Sequence, residues 1–379
     1  MSFLYCNPCV FVIGDEYEIL TVAKKNGIFS VSVDGETYYE ENSGTLSSEK
    51  NFAKIRVPQA KLDKVKAYEI GYRETLNRKA YYSELGAPET QVFCFKPLIK
   101  TQDIKIYHIA DVHYRFDIAK KTAEFFGDDT DLFVVNGDIG EVETEENYLE
   151  VCKFVGDIAK GEIPVVFVRG NHDTRGKLAE KFTDYFPANG KNTYFEFTLG
   201  SLHGLALDCG EDKWDNHKEY GAMEYYGAKA PEVYGGVNIF ERYREGETAF
   251  LQGVQAKDGF TFAVSHICPA QTAQTHDSPF AIEQDTYEIW NKELARIGVK
   301  FMLTGHIHKA YILQRNDEKS LLSHTYPVVV GSACFGEEDF WGAGIILNND
   351  QMQVYFTDSN KEIREAYTVD LVNGTVKGE

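Results

Sequence analysis

The chain has 379 residues, room for one large domain with a smaller one beside it. Its 39 Lys+Arg against 59 Asp+Glu leave a formal charge of -20, which argues against a long nucleic-acid partner but permits a small phosphate ester wherever a cation inverts the local potential. The apolar fraction of 43% suits a well-cored soluble protein, nothing approaches a membrane span, no basic segment opens the chain, and the seven cysteines are scattered, so a reduced cytoplasmic protein with no membrane partner is expected.

Residues 1–98 read as all-β. Cys9–Ile13, Tyr17–Ala23, Ile28–Val33, Lys64–Ile70 and Gln91–Phe95 are short apolar or alternating runs, broken by Lys24–Gly27 and by a turn at Asp34-Gly35. This predicts a small β-sandwich domain, fibronectin III-like in size and pattern, with no catalytic cluster of its own. From 99 to 357 the pattern changes to strands alternating with helices. Strands are expected at Ile104–Ala110, Leu132–Val135 and Pro164–Val168, and helices at Glu145–Ile158 and from about Thr174 to Phe182. Further strands are expected at Tyr194–Leu199, Leu205–Leu207, Phe260–Val264, Phe301–Leu303 and Tyr326–Val330, with a closing hairpin at Gly344–Asn348 and Gln353–Phe356. A Tyr/Gly-rich stretch from Trp214 to Glu241 reads as a long loop beside the site, and residues 358–379 as a polar, peripheral tail.

Five segments carry the chemistry: Asp111-Val112-His113, Gly137-Asp138, Gly170-Asn171-His172-Asp173, His266, and Gly305-His306-Ile307-His308. Each follows a predicted strand, and loops beyond the carboxyl ends of such strands converge on one crevice. The ligand-type side chains Asp111, His113, Asp138, Asn171, His266, His306 and His308 are too many for one tetrahedral ion and suit two adjacent ones. A carboxylate such as Asp138 can bridge two ions, whereas an imidazole cannot. The mixed oxygen and nitrogen donors favour Mn²⁺, Fe²⁺, Zn²⁺ or Co²⁺ over Ca²⁺. Single histidines such as His108 and His203 read as structural.

This ordered set resembles the calcineurin-like metallophosphoesterase superfamily over about residues 103–357. The resemblance implies a mixed α/β fold of the α+β kind, a four-layer sandwich of two mixed sheets between helices, preceded by the small all-β domain. It implies one metal on Asp111, His113, Asp138 and His308, and a second on Asp138, Asn171, His266 and His306, with Asp138 bridging. It makes His172 the catalytic histidine and Asp173 the carboxylate that orients it. Asp173 with Thr174 also reads as a cap on the next helix. The N-terminal β-domain resembles that of purple acid phosphatases. That subgroup, however, has a tyrosine where this chain has Glu141 and lacks the histidine found here at 113, so two divalent ions are expected rather than an Fe³⁺-containing pair.

The chemistry so implied is hydrolysis of a small phosphate ester by a metal-bridging hydroxide in line with the leaving group, His172 assisting departure. Phosphodiesters are slightly favoured over phosphomonoesters. Arg169, Arg175, Trp214, His217 and Tyr220 are candidates for the substrate pocket, the aromatic ones by stacking. Asp208, in the acidic loop Leu207–Trp214, reads as structural. The competing readings are a non-catalytic metal-binding scaffold and an interaction module carried by the N-terminal domain. Oligomeric state and physiological substrate have no signal in the sequence.

Overall fold

The computed structural model describes residues 2–140, 143–211, 224–225, 228–229, 239–257, 259–270, 284–335 and 339–379. Three parallel strands, Ile104–Ile109, Leu132–Asn136 and Pro164–Val168, form the centre of the first sheet, with Ile106 level with Leu132 and Phe133 level with Val165. Every residue of the last two is buried, as continuous apolar runs require when both faces of a sheet are covered. The second sheet has six strands in the order Phe195–Leu199, Leu202–Leu207, Phe260–Ser265, Met302–Thr304, Val328–Val330, Tyr311–Leu313. The four inner ones are parallel to one another.

The sheets face each other across an apolar layer in which Ile106, Val134 and Val166 meet Phe262, Val264 and Leu303. Helices Phe116–Ala123 and Glu145–Ala159 cover the outer face of the first sheet, burying Ala119, Val151 and Val155 with Ile109 and Val135. Helices Phe240–Gly253 and Gln284–Ile297 cover the second, burying Leu251, Trp290 and Leu294 with Leu205 and Met302. Each such large side chain contributes about 1.5–3 kcal/mol on burial. Helix Glu145–Ala159 shows how local sequence sets its ends. Thr144 and Asn147 form a reciprocal capping box at the start, and Lys160 turns left-handed (φ 57°) at the finish. The four layers are those expected.

The first sheet is wider than expected, with eleven strands. Cys9–Ile13 lies parallel to Pro164–Val168, with Val10 level with Pro164, and Glu16–Val22 and Phe52–Pro58 continue the sheet outward. Five further N-terminal strands, Gly27–Val33, Glu36–Tyr38, Ala67–Arg78, Ser83–Leu85 and Glu89–Cys94, make a separate sheet. Phe29, Val31 and Ile70 from it share one core with Ile19, Ile55 and Val57 and with the layer between the two large sheets. The β-rich accessory region therefore has sandwich-like packing, but one of its layers is the edge of the catalytic sheet, and the division expected at residue 98 runs through a continuous core.

Residues 358–379 are likewise not a peripheral tail. Ile363–Asp370 and Thr375–Gly378 add two antiparallel strands beyond Gln351–Thr357. They look polar because an edge hairpin buries few positions, here Val369 and Leu371. The helix expected from Thr174 to Phe182 is replaced by short turns, a 3₁₀ turn at His172–Thr174, another at Ala179–Lys181 and one α-turn at Phe182–Tyr185. Gly176 at φ 93° breaks the run.

Candidate dimetal centre

All the predicted ligands emerge where the parallel strands of both sheets end. Asp111 and His113 follow Ile104–Ile109, Asp138 follows Leu132–Asn136, and Asn171 and His172 follow Pro164–Val168. From the second sheet, His266 follows Phe260–Ser265, and His306 and His308 follow Met302–Thr304. The backbone turns sharply at these points. Asp111, His113, Asp138, His306 and His308 all have left-handed φ, between 44° and 68°. Each costs about 1–2 kcal/mol against a regular conformation, and strain of this kind persists only where surrounding contacts over-determine it.

Those contacts are visible. Asp111 N–H donates to the Gly137 carbonyl (3.0 Å) and His113 N–H to the Asp138 carbonyl (3.0 Å), lacing the first two loops together. His306 N–H donates to Asp111 Oδ2 (2.9 Å), and His172 N–H to Asp138 Oδ1 (2.8 Å). Glycine is required because the loops touch. A Cβ on Gly137 would sit 2.5 Å from the Gly170 backbone, and one on Gly170 would strike Asp138 Oδ1.

The donor atoms converge. Asp111, His113 and His308 form one group, Asp138, His266 and His306 a second, and His113, Asp138 and His172 a third, the ligand atoms of each group lying within 4.8 Å of one another. His308 Nε2 is 3.2 Å from Asp111 Oδ1 and 3.2 Å from His113 Nε2, and His266 Nε2 is 3.1 Å from Asp138 Oδ2. His266 is steered by its other ring nitrogen, which donates to the Asn136 carbonyl at 2.6 Å, the arrangement common to metal-ligating imidazoles.

Asn171 gives the clearest test of whether these residues fit a cation. With its amide oxygen turned inward, Oδ1 lies 2.9 Å from His306 Nδ1, and Nδ2 donates to Glu211 Oε1 at 3.4 Å. With the amide reversed, Nδ2 donates to His306 Nδ1 (2.9 Å) and Asp138 Oδ2 (3.3 Å), and Oδ1 accepts from Arg175 Nη2 (3.0 Å). The reversed form satisfies the hydrogen bonds of the protein alone. The inward form aims an oxygen at a carboxylate and an imidazole, and is the form a cation would select. Buried carboxylates, imidazoles and one amide around a common point fit divalent ions with mixed oxygen and nitrogen ligation.

Electrostatics agree with that fit. Burial works against charge on His266, but Asp138 and Asp111 outweigh it and push the imidazole up to about 10. Burial likewise opposes an ionised Asp138, yet His266, His172 and His113 hold its carboxyl well below the usual range. His308 is raised, chiefly by its hydrogen bond to Asp111. Burial carries His113 down to about 4, leaving its lone pair available at neutral pH. In the absence of a cation, a proton on His266 offsets part of the acids' charge.

The remaining predicted site residues divide. His172 lies at the rim of the cluster, its Nε2 4.0 Å from Asp138 Oδ2 and its ring 4.8 Å from that of His113. Asp173 does not orient it. Its Oδ2 accepts from the backbone N–H of Gly170 (2.8 Å) and of Asp138 (3.0 Å), tying two metal loops to each other. Arg169 is not free to line a pocket. Its side chain is 13% exposed, its guanidinium pairs with Asp208 at 2.6 Å, and it packs against the rings of Phe182, Phe240 and Tyr243. Arg175 does reach the site, donating to His172 Nε2 at 3.1 Å. Trp214, His217, Tyr220 and Glu141 lie outside the described residues. Asp208 and His108 are structural as expected. Asp208 also accepts from Gly210 N–H (2.8 Å), and His108, buried and lowered to about 3 by that burial, bonds Asn136 (3.1 Å). Glu211 was missed, although it lies in the acidic loop that had been singled out.

Comparison with known proteins places this geometry. No curated protein matches the chain in sequence. Several solved structures share its fold, two of them over nearly the whole chain. One is a purple acid phosphatase, PPD1, from yellow lupin (Lupinus luteus) seeds, 11% identical, with a TM-score of 0.58 over 96% of this chain and 74% of that one. The other is PhoD, 11% identical, with a TM-score of 0.60 over 100% of this chain and 92% of that one. The family described as calcineurin-like phosphoesterase matches residues 104–310, which span every ligand named above. With more than half its length matched and the metal ligands gathered at one crevice, the chain belongs to the calcineurin-like phosphoesterase family.

Proposed function

We propose that this protein hydrolyses small phosphate esters at a two-metal centre, with phosphodiesters slightly favoured over phosphomonoesters. The observation that carries the reading is the convergence of three overlapping groups of ligand atoms, with Asp138 common to two of them. Asp111, His113, Asp138 and His308 would hold one ion, and Asp138, Asn171, His266 and His306 the other, the ions being Mn²⁺, Fe²⁺ or Zn²⁺. Such a pair supplies positive charge at the phosphate and a nucleophile at neutral pH.

The chain's own residues do the rest. Asp111 and Asp138 each accept a backbone N–H on one side, so their other lone pairs stay aimed inward. His172 shares a group of donor atoms with His113 and Asp138 but is assigned to neither ion, and from the rim of the cluster it would engage the leaving-group oxygen. Asp173 keeps the Asp138 and Asn171 loops in register for both tasks. A diester preference is supported by the histidine at 113, and a cytoplasmic setting by the free thiols of Cys6, Cys9, Cys94, Cys152 and Cys209.

The test is hydrolysis of bis-p-nitrophenyl phosphate and p-nitrophenyl phosphate with Mn²⁺, for wild type and His172→Ala. Faster diester turnover, lost in the variant, supports the reading as stated. Faster monoester turnover reverses the preference. No turnover of either ester contradicts the function.

A further inference from the structure

Glu211 stands just beyond the second-sheet strand Leu202–Leu207 and is buried, 1% exposed. Its carboxylate takes two bonds from the Arg175 fork, Nε at 2.7 Å and Nη2 at 2.9 Å. The third guanidinium nitrogen, Nη1, is the one that donates to His172 Nε2 at 3.1 Å. Glu211 is itself anchored from behind. Arg244, fully buried on helix Phe240–Gly253, donates to the backbone carbonyls of Cys209 (2.9 Å) and Glu211 (3.2 Å). The pair touches Asn171 in either amide orientation, through Glu211 Oε1 in one and Arg175 Nη2 in the other. A planar guanidinium held at two points by a carboxylate has little freedom left, so the third point is fixed in direction.

We propose that Glu211 is a positioning residue of this centre: it holds the Arg175 guanidinium against His172 and steadies the Asn171 amide, so that one carboxylate from the second sheet sets two adjacent functional side chains of the first. The proposal deepens the phosphoesterase reading and rests on it for the role of His172. Arg175 then acts through the histidine and is a positioning residue too, not a phosphate clamp.

The experiment is a mutant cycle on the full chain with Mn²⁺. Glu211→Gln and Arg175→Gln are each expected to lower kcat about 10–100-fold with KM little changed, and Glu211→Gln to weaken Mn²⁺ binding about tenfold by calorimetry. The double variant, which removes both members of the Glu211–Arg175 pair together, is expected to lose no more than the worse single variant. In a His172→Ala background, Arg175→Gln is expected to cost nothing further. A full additional loss in that background overturns the proposal, because it places Arg175 on the substrate. Singles within about twofold of wild type in kcat overturn it also. If wild type hydrolyses neither ester, the functional reading fails on its own, and the Mn²⁺ titration then decides: unchanged affinity in Glu211→Gln overturns the positioning role.

Discussion

The two ends of the paired sheets differ in kind. At the amino ends of the strands lies a cavity of about 280 Å³ lined by Ile104, Leu202, Phe260, Leu347, Ser201 and Lys300 among others. At the carboxyl ends the strands deliver carboxylates, imidazoles and an amide to one point, in strained backbone and with perturbed protonation. A hollow between two sheets arises wherever twisted layers splay apart. Convergent donors held in costly conformations do not arise that way, and they locate the chemistry where cavity size does not.

The sharpest way to break this contrast is to remove the shared carboxylate. Asp138→Ala should cut turnover by about 10³-fold or more, since the metals contribute several kcal/mol and each 1.4 kcal/mol is a factor of ten. Steady-state rates against wild type check this. On the proposed reading, in which the ring would serve the leaving group rather than an ion, His172→Ala should lower kcat by about 10²–10⁴-fold while Mn²⁺ stoichiometry stays as in wild type. Equal loss of metal would move His172 into the ligand set.

A lesion of similar energy should act differently away from the site. Ile55→Ala, in the outer strand Phe52–Pro58, should cost about 2–5 kcal/mol of stability, because that strand belongs to the catalytic sheet. Urea unfolding should show one transition shifted as a whole. A separate early transition would mean that the accessory region folds by itself.

Proton balance gives a smaller effect. His266 is raised to about 10, so it is protonated at neutral pH without metal and must release that proton on ion binding. Apparent Mn²⁺ affinity should therefore rise by up to about tenfold per pH unit between pH 7 and 9 for that proton alone, read by titration in buffers of differing ionisation heat. His113, lowered to about 4, adds nothing in this range. The sign reverses for the stability of the metal-free protein. A raised histidine contributes fully below its unfolded value near 6.5, and that contribution is lost as pH climbs toward 10. Last, Lys300→Ala in the opposite cavity should leave kcat/KM within about twofold of wild type, the usual range for a surface change.

The site was legible because each ligand sits one to four residues beyond a strand end, so spacing along the chain carried the information. What Asp173 and Glu211 do was not legible. Asp173 spends its carboxylate on the backbone N–H of Gly170 in its own loop and on that of Asp138, 35 residues away, and Glu211 reaches Arg175 36 residues away. Neither has a local pattern, although the acidic run around Glu211 marked the loop. Sheet membership was lost for a similar reason. Alternating strands such as Glu16–Val22 look alike whether they pair locally or extend a larger sheet. Cys9–Ile13 does carry a signal, five apolar residues in a row, which is the mark of a strand covered on both faces, and all five are buried.

The most direct test of the central claim is the number of Mn²⁺ ions bound per chain, measured by calorimetry with elemental analysis on wild type and Asp138→Ala. The account predicts two ions in the wild type and a loss of at least one in the variant. One ion or none in the wild type, or an unchanged count in the variant, would contradict a two-metal centre joined through Asp138.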